Sequence, residues 1–444
     1  ALIITLTVVA ALWPSGGWRR LAARLPLLLA VPHVAFATAA LLLFADGGWL
    51  SRLLPFFTPP VDRYGIGLGL TMALKESAFL LWVVYGLLGE KRLAGQATVL
   101  KSLGYGRWQC LKWLVLPTLL PALSIALLAT AAWSLSAVDV ALVIGPGNPP
   151  TLAVLAWQWL SQGDEIQQAK GALASLVLLL TLAIMALAAW GVWRLWRRRI
   201  PQVQGIRRPQ PRALAGKSFA LLLPLCGVAC ALLLAAAAQN SQPVSDSVGN
   251  SLWLGLCSAS LGAVICLLWL ASGPSRFDGW IWLPLILPAL PLVDGQYQLA
   301  LYTWLDGEWV AVLWGHLLWV VPWMLFILRP AWRARDPRME LLARTLGWQQ
   351  GRIFWLVTLP ALTRPLLTAL AVGFSVSIAQ YLPTLWLGGG RFPTLTSEAV
   401  ALSSGGETST LAAQALWQLL LPALFFAATA LLAWLTGRYR QGLR

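Results

Sequence analysis

The chain has 444 residues, 59% of them hydrophobic and only 11% charged, with 32 Lys and Arg against 16 Asp and Glu for a net charge of +16. So few charged groups cannot coat a water-soluble surface of this size, which excludes an ordinary soluble enzyme or a soluble nucleic-acid-binding domain. The basic excess is the expected mark of the cytoplasmic loops of a membrane protein, and no nucleic acid is needed to account for it.

Apolar stretches of about 20 residues recur along the chain, each long enough to cross a bilayer as a helix. Residues 1–13 read as the last part of one span, closed by Pro14-Ser15-Gly16-Gly17. Further spans are predicted at 25–45, 69–89, 113–133, 172–193, 217–237, 251–271, 281–301, 309–329, 355–379 and 413–435. In lipid the backbone must satisfy its own hydrogen bonds, which Ala/Leu-rich runs do as helices. Alternating barrel-type segments are absent. The expected fold is all-α and polytopic, with about 11 spans here and about 12 in the full chain. The missing one is expected at the amino end, where the chain starts at Ala1 inside a span.

The same blocks occur twice in one order. Leu80-Leu81-Trp82-Val83-Val84 returns as Leu317-Leu318-Trp319-Val320-Val321, and Lys101-Ser102-Leu103-Gly104 as Arg344-Thr345-Leu346-Gly347. Each of the latter is followed at equal distance by a Leu-Pro pair, Leu116-Pro117 and Leu359-Pro360. Gly145-x-Gly147-x-x-Pro150-Thr151-Leu152 returns as Gly388-x-Gly390-x-x-Pro393-Thr394-Leu395. Leu25-Pro26 with Pro32 is matched by Leu283-Pro284 with Pro288 and Pro291. An offset of about 240 residues means a duplicated domain rather than a solenoid, and in an apolar chain it suggests a transporter. The expected division is a first repeat at 1–196, a basic linker at 197–216 and a second repeat at 217–444.

Charge orients the loops. Of the 32 Lys and Arg, 27 fall in alternate segments that include 18–24, 90–112, 194–217 and the tail 438–444. The opposite loops hold Asp46, Asp62, Asp164, Glu165, Asp246, Asp294, Asp306, Glu308, Glu398 and Glu407. The basic segments are therefore predicted to be cytoplasmic. The linker closes a helix with Arg194, Arg197, Arg198 and Arg199 and continues in Pro, Gln and Arg, a composition for a flexible segment against anionic lipid headgroups. Many of the 27 tryptophans, such as Trp157, Trp309 and Trp386, sit at predicted span ends, where indole favours the membrane interface.

Chemistry is scarce. His33 and His316 lie in different spans without ligand-like neighbours, and five scattered cysteines give no metal site. No Gly-x-x-x-x-Gly-Lys-Ser/Thr loop is present to cradle ATP phosphates. No catalytic residue and no cofactor is expected.

The most specific signal is the cytoplasmic segment after each Leu-Leu-Trp-Val-Val helix. One copy runs Gln96 to Leu103 and ends at Gly104; the other runs Arg338 to Leu346 and ends at Gly347. Each reads as a short amphipathic helix stopped by a left-handed glycine, with an apolar stripe of Leu100 and Leu103, or of Leu342 and Leu346. Here the chain resembles the permease subunits of binding-protein-dependent ABC importers. Their Glu-Ala-Ala loop places a Gly at this same spacing before Leu-Pro. Fused two-copy members occur among ferric-iron and thiamine importers. The Glu-Ala-Ala itself is degenerate: Leu341-Leu342-Ala343 stand in it with Glu340 one place early, and Thr98-Val99-Leu100 carry no acid.

The resemblance implies two pseudo-symmetric helical halves in a bacterial inner membrane, around a path for a small-molecule substrate. It implies two ATP-binding subunits docked inside on Leu100, Leu103, Gly104, Glu340, Leu342, Ala343, Leu346 and Gly347, and a periplasmic solute-binding protein docked outside. Asp139 lies 22 residues past Pro117, about 33 Å along a helix and so near the outer mouth. Its repeat equivalent is Gln380, beside Tyr381, and these three are the substrate-path candidates. Lys75-Glu76 is expected near the outer edge of its span, reaching water. The alternatives are an ion-coupled secondary transporter, which predicts inverted repeats and paired intramembrane acids, and a membrane enzyme, which requires clustered His, Asp and Glu.

Overall fold

A computed structural model describes residues 1–29, 31–54, 56, 62–90, 93–200, 214–273, 278–405 and 407–438. Most of the predicted basic linker, at 201–213, lies outside the described residues. Among the described residues every regular element is helical. Nine helical stretches among the described residues are long and apolar enough to cross a membrane: His33–Leu53, Ile66–Gly89, Arg107–Ser136, Glu165–Arg197, Gly216–Ala237, Ser245–Ser272, Trp309–Arg333, Gln350–Ile378 and Thr408–Thr436.

Two predicted spans are broken by proline. The run 25–45 divides into Gly16–Leu29 and His33–Phe44, the second opening behind Pro32. The run 281–301 divides into Trp280–Trp282, Leu283–Ile286 and Ala289–Tyr302, with Pro288 at the break. Proline removes an N–H from the helical ladder and pushes its predecessor out of the α region, so apolar character continues where the helix does not. Leu2–Leu12 is a helix of 11 residues, too short to count as a span of its own.

The duplication reappears element by element. The first copy runs Ala94–Ser102, Arg107–Cys110, a π-helical turn Leu111–Val115, Leu116–Ser136, Val138–Ile144 and Leu152–Leu160. The second runs Pro337–Thr345, Gln350–Ile353, a π-helical turn Phe354–Thr358, Leu359–Ile378, Leu382–Gly388 and Leu395–Ser403. The repeated Gly-x-Gly-x-x-Pro-Thr-Leu blocks are turns that end on a helix cap. Thr151 Oγ1 accepts the Val154 N–H, and Thr394 Oγ1 accepts that of Ser397.

Packing falls into two compact units. The first comprises Ala1–Ser241, Ile286–Asp294 and Val400–Leu416. In it Leu214–Ala237 lies on Leu2–Leu12, Gly16–Leu29 and His33–Phe44, so a helix that opens the second sequence copy packs with the first. The second unit comprises Gln242–Leu285, Gly295–Ala399 and Trp417–Arg444. Its centre is the trio Ser245–Ser272, Trp309–Arg333 and Leu359–Ile378. Small residues allow that approach: Ser251, Gly255, Ser258, Ala259 and Gly262 form the buried face of the first helix. A Cβ on Gly255 would stand 2.7 Å from the Phe374 ring, which stacks in turn on Phe425.

Candidate functional site

The two short helices Ala94–Ser102 and Pro337–Thr345 end in the same way. Gly104 has φ +90° and Gly347 φ +78°. The Tyr105 N–H reaches back to the Leu100 carbonyl at 3.0 Å and the Gly104 N–H to Lys101 at 2.9 Å; Trp348 to Ala343 at 3.1 Å and Gly347 to Arg344 at 3.0 Å repeat the pattern. This pair of bonds satisfies the last carbonyls of the helix and reverses the chain, and the left-handed residue it requires favours glycine. Nothing lies within 4 Å of a Cβ built on Gly347, so its backbone angle alone selects the residue.

Both helices present an apolar face. Leu342 and Leu346 are 58% and 67% exposed, Leu103 is exposed and Leu100 half-buried. Met339, Leu341 and Val99, which the stripe read from sequence omitted, are exposed beside them. Ala343 faces inward at 5% exposure, so it packs the helix to its own chain rather than offering itself to a partner. Glu340 is also engaged internally, by an ion pair with Arg335 and by the Thr358 hydroxyl at 3.1 Å.

In each repeat the chain then continues into its long apolar helix through a π-helical turn. The Leu116 N–H donates to Leu111 and that of Leu359 to Phe354, five residues back. Pro117 and Pro360 supply no N–H to the turn before them, and their rings crowd an α-turn; one extra residue in the turn relieves both. The Leu-Pro of the repeat marks this widened turn.

Polar groups inside the first unit form a chain across three helices. Lys75 and Glu76 are 5% and 6% exposed, so they do not reach water as the sequence reading expected. The Lys75 ammonium donates to the carbonyls of Leu28 at 2.7 Å and Leu29 at 3.3 Å. These are among the last carbonyls of Gly16–Leu29, where Pro32 has no N–H to offer Leu28 and the Val31 N–H reaches it at 3.3 Å, and a cation suits that end of the helix dipole. His33 Nε2 lies 2.7 Å from Glu76 Oε1. Asp139 is buried in the first turn of a further helix, Val138–Ile144.

The second unit builds a neutral counterpart. His316 Nδ1 and Nε2 each lie 2.8 Å from a hydroxyl, of Ser377 and Thr384. The Thr384 hydroxyl donates to the Gln380 carbonyl at 3.1 Å, so it accepts from Nε2–H. Gln380 Nε2 donates to the His316 carbonyl at 3.0 Å, while Gln380 Oε1 is buried without a hydrogen-bond partner among the described residues. Tyr381, the third path candidate, is buried beside it. Both histidines, partnerless in the sequence reading, are thus hydrogen-bonded; their partners lie 43 to 68 residues away, beyond any local motif. Among the described residues no three His, Cys, Asp or Glu gather as metal ligands.

Residues 218–440 match the family described as binding-protein-dependent transport system inner membrane component. Over 444 residues, 100% of the chain and 87% of the relative, the sequence is 62% identical to the inner membrane ABC transporter permease protein YnjC of Escherichia coli. Over 162 residues, 32% of the chain and 67% of the relative, it is 28% identical to the molybdenum transport system permease protein ModB of Haemophilus influenzae.

Proposed function

The chain belongs to the binding-protein-dependent transport system inner membrane component family, and from that premise we propose how it couples to its partners and passes its solute. It is a multi-pass inner-membrane permease of an ABC importer, a transport component rather than an enzyme or an ion-coupled carrier. Its two halves, near 1–196 and 217–444, are read as tandem permease repeats.

Two ATP-binding subunits dock on the two glycine-ended helices, one on each. Leu100 and Leu103 serve the first; Leu342 and Leu346, with Met339 and Leu341, serve the second. Gly104 and Gly347 hold the geometry. The observation that carries this reading is the recurrence of one device at one spacing: a nine-residue helix, a left-handed glycine cap, then a π-helical turn before Leu-Pro. A helix resting only on lipid would need neither the cap nor the fixed distance to the span. ATP-driven closure moves these helices, and the solute delivered by a binding protein on the opposite side is released through the path.

The orientation has a direct test. A cysteine at Gln350 is expected to stay shielded from a membrane-impermeant thiol reagent in intact cells and to react after permeabilisation, while one at Ser404 reacts in both. Both positions are exposed in the structure. Labelling at Gln350 in intact cells would place the docking helices on the wrong side for ATP.

Asp139, Gln380 and Tyr381 are proposed to line the path. A buried carboxylate and an orphaned amide oxygen support this, because polar groups in a membrane interior are costly, roughly 2.5–3.5 kcal/mol for a charge at a helix centre. Asp139→Leu is expected to leave ATP-binding subunits attached while ATP hydrolysis loses its stimulation by the solute-loaded binding protein. Asp139→Asn retains stimulation if the carboxylate serves as a hydrogen-bonding group and loses it if its charge is required. Full stimulation in the Leu variant would reduce Asp139 to a buried helix end.

A further inference from the structure

Glu340 sits where a docking residue is expected, yet its carboxylate points into its own chain. One oxygen, Oε1, accepts both from Arg335 Nη1 and from the Thr358 hydroxyl. Thr358 is 5% exposed and is the last residue of the π-helical turn, immediately before Leu359-Pro360. Arg335 is held from its other side, with Nε donating to the Trp332 carbonyl at 3.0 Å and the guanidinium 3.7 Å over the Trp332 ring. Three segments therefore meet at one oxygen: the end of Trp309–Arg333, the short helix Pro337–Thr345 and the turn that starts Leu359–Ile378.

The first half carries apolar residues at the two corresponding positions of helix and turn. Counted from the glycine cap, Glu340 corresponds to Ala97; counted from the proline, Thr358 corresponds to Val115. Ala97 is 0% exposed and Val115 3%. A hydrogen bond between the partly exposed Glu340 and the buried Thr358 in one copy thus stands where the other has two buried apolar side chains.

We propose that Glu340, with Arg335 and Thr358, is a positioning clamp that ties the second docking helix to the π-helical turn, so that movement of the helix is delivered to Leu359–Ile378. In the first half both corresponding positions, Ala97 and Val115, are apolar and buried. Glu340 is then a residue of force transmission and no part of the face that touches an ATP-binding subunit. A π-turn has fewer constraints than a regular α-turn and sits where the chain is expected to yield, so a docking helix fixed to it acts at the most compliant point of the span. Swapping both partners of a hydrogen bond for matching apolar groups is nearly neutral, whereas removing one strands the other. Without Glu340 the partly exposed Arg335 still has the Trp332 carbonyl and ring. The clamp therefore makes a prediction that a surface role does not.

This inference rests on the docking reading above, and the test keeps the two apart. The sample is the complete complex of permease and ATP-binding subunits in lipid nanodiscs, probed with ATP plus vanadate, and the readout is hydrogen exchange at residues 354–358. Glu340→Ala and Thr358→Val, separately, are expected to raise exchange there about tenfold, the scale of one lost hydrogen bond to a charged group. Each also erases the change that vanadate trapping produces at 354–358, although the subunits stay bound and still trap vanadate. Exchange at 111–115, in the first half, stays unchanged. The double variant, Glu340→Ala with Thr358→Val, copies the Ala97/Val115 solution and is expected to restore both the slow exchange and the vanadate response. Failure of the double variant to restore them, or unchanged exchange in the single variants, overturns the clamp. If Glu340→Ala sheds the ATP-binding subunits and the double variant sheds them too, Glu340 belongs to the docking face. If the subunits stay bound when the glycine caps are disrupted, it is the docking reading that fails.

Discussion

Changing Gly104 and Gly347 together to Val is expected to detach the ATP-binding subunits, lowering the amount that co-purifies at least about tenfold. A non-glycine residue in the left-handed region costs roughly 1–2 kcal/mol, and a β-branched one is worse placed still. At φ +90° and +78° neither position is relieved by a small shift. The cheaper response is to unwind the cap, which frees the carbonyls of Leu100, Lys101, Ala343 and Arg344 and turns the exposed leucines away from their present face. Losing about 1.4 kcal/mol at one docking site is a tenfold loss of affinity. Asn, which tolerates the left-handed conformation, is expected to retain most of the binding at either position. Equal loss with Asn and Val would mean that a side chain clashes with the partner and that the cap geometry is not the cause. Co-purification of tagged permease, quantified for each variant, separates these outcomes.

The second large effect concerns Lys75. Replacing it with Met leaves the Leu28 and Leu29 carbonyls without their cation and the buried Glu76 carboxylate with His33 as its partner but no neighbouring ammonium charge. Removing one partner of a buried charge pair typically costs about 3–5 kcal/mol. Thermal unfolding of the purified protein in detergent should fall accordingly. Lys75→Met combined with Glu76→Gln should recover most of the loss, because the glutamine keeps the hydrogen bond to His33 Nε2 and no unpaired charge remains. If the single Lys75 variant unfolds like the parent, the ammonium is no cap for Gly16–Leu29.

Glycine and proline wrote the parts of the fold that were legible in sequence. The caps at Gly104 and Gly347 and the turns at Gly145 and Gly388 follow from local backbone chemistry, so spacing alone located them. Duplication doubled the signal. The spans at 25–45 and 281–301 were misread for a related reason: hydropathy averages over a window and ignores that Pro32 and Pro288 interrupt the ladder. What remained hidden depends on partners distant in sequence. Lys75 meets Leu28, and His316 meets Ser377 and Thr384, across packed helices. An apolar helix carrying Lys-Glu at its middle was itself the available clue, since an intramembrane charge is by default a paired one. In the docking helices the apolar stripe was readable from periodicity, but it could not reveal that Ala343 turns inward or that Glu340 has Thr358 in reach.

Site-specific cross-linking at the docking helices tests the coupling scheme most directly. A photoreactive residue placed at Val99, and separately one at Leu342, in the complete complex should each form an adduct with an ATP-binding subunit, and together they should capture two. A probe at Trp253, exposed on the span Ser245–Ser272, should capture none. Adducts at both helices, strengthened or weakened by ATP plus vanadate, are the predicted result. If the probes at Val99 and Leu342 capture only lipid while the ATP-binding subunits remain in the complex, docking occurs elsewhere and the scheme is wrong.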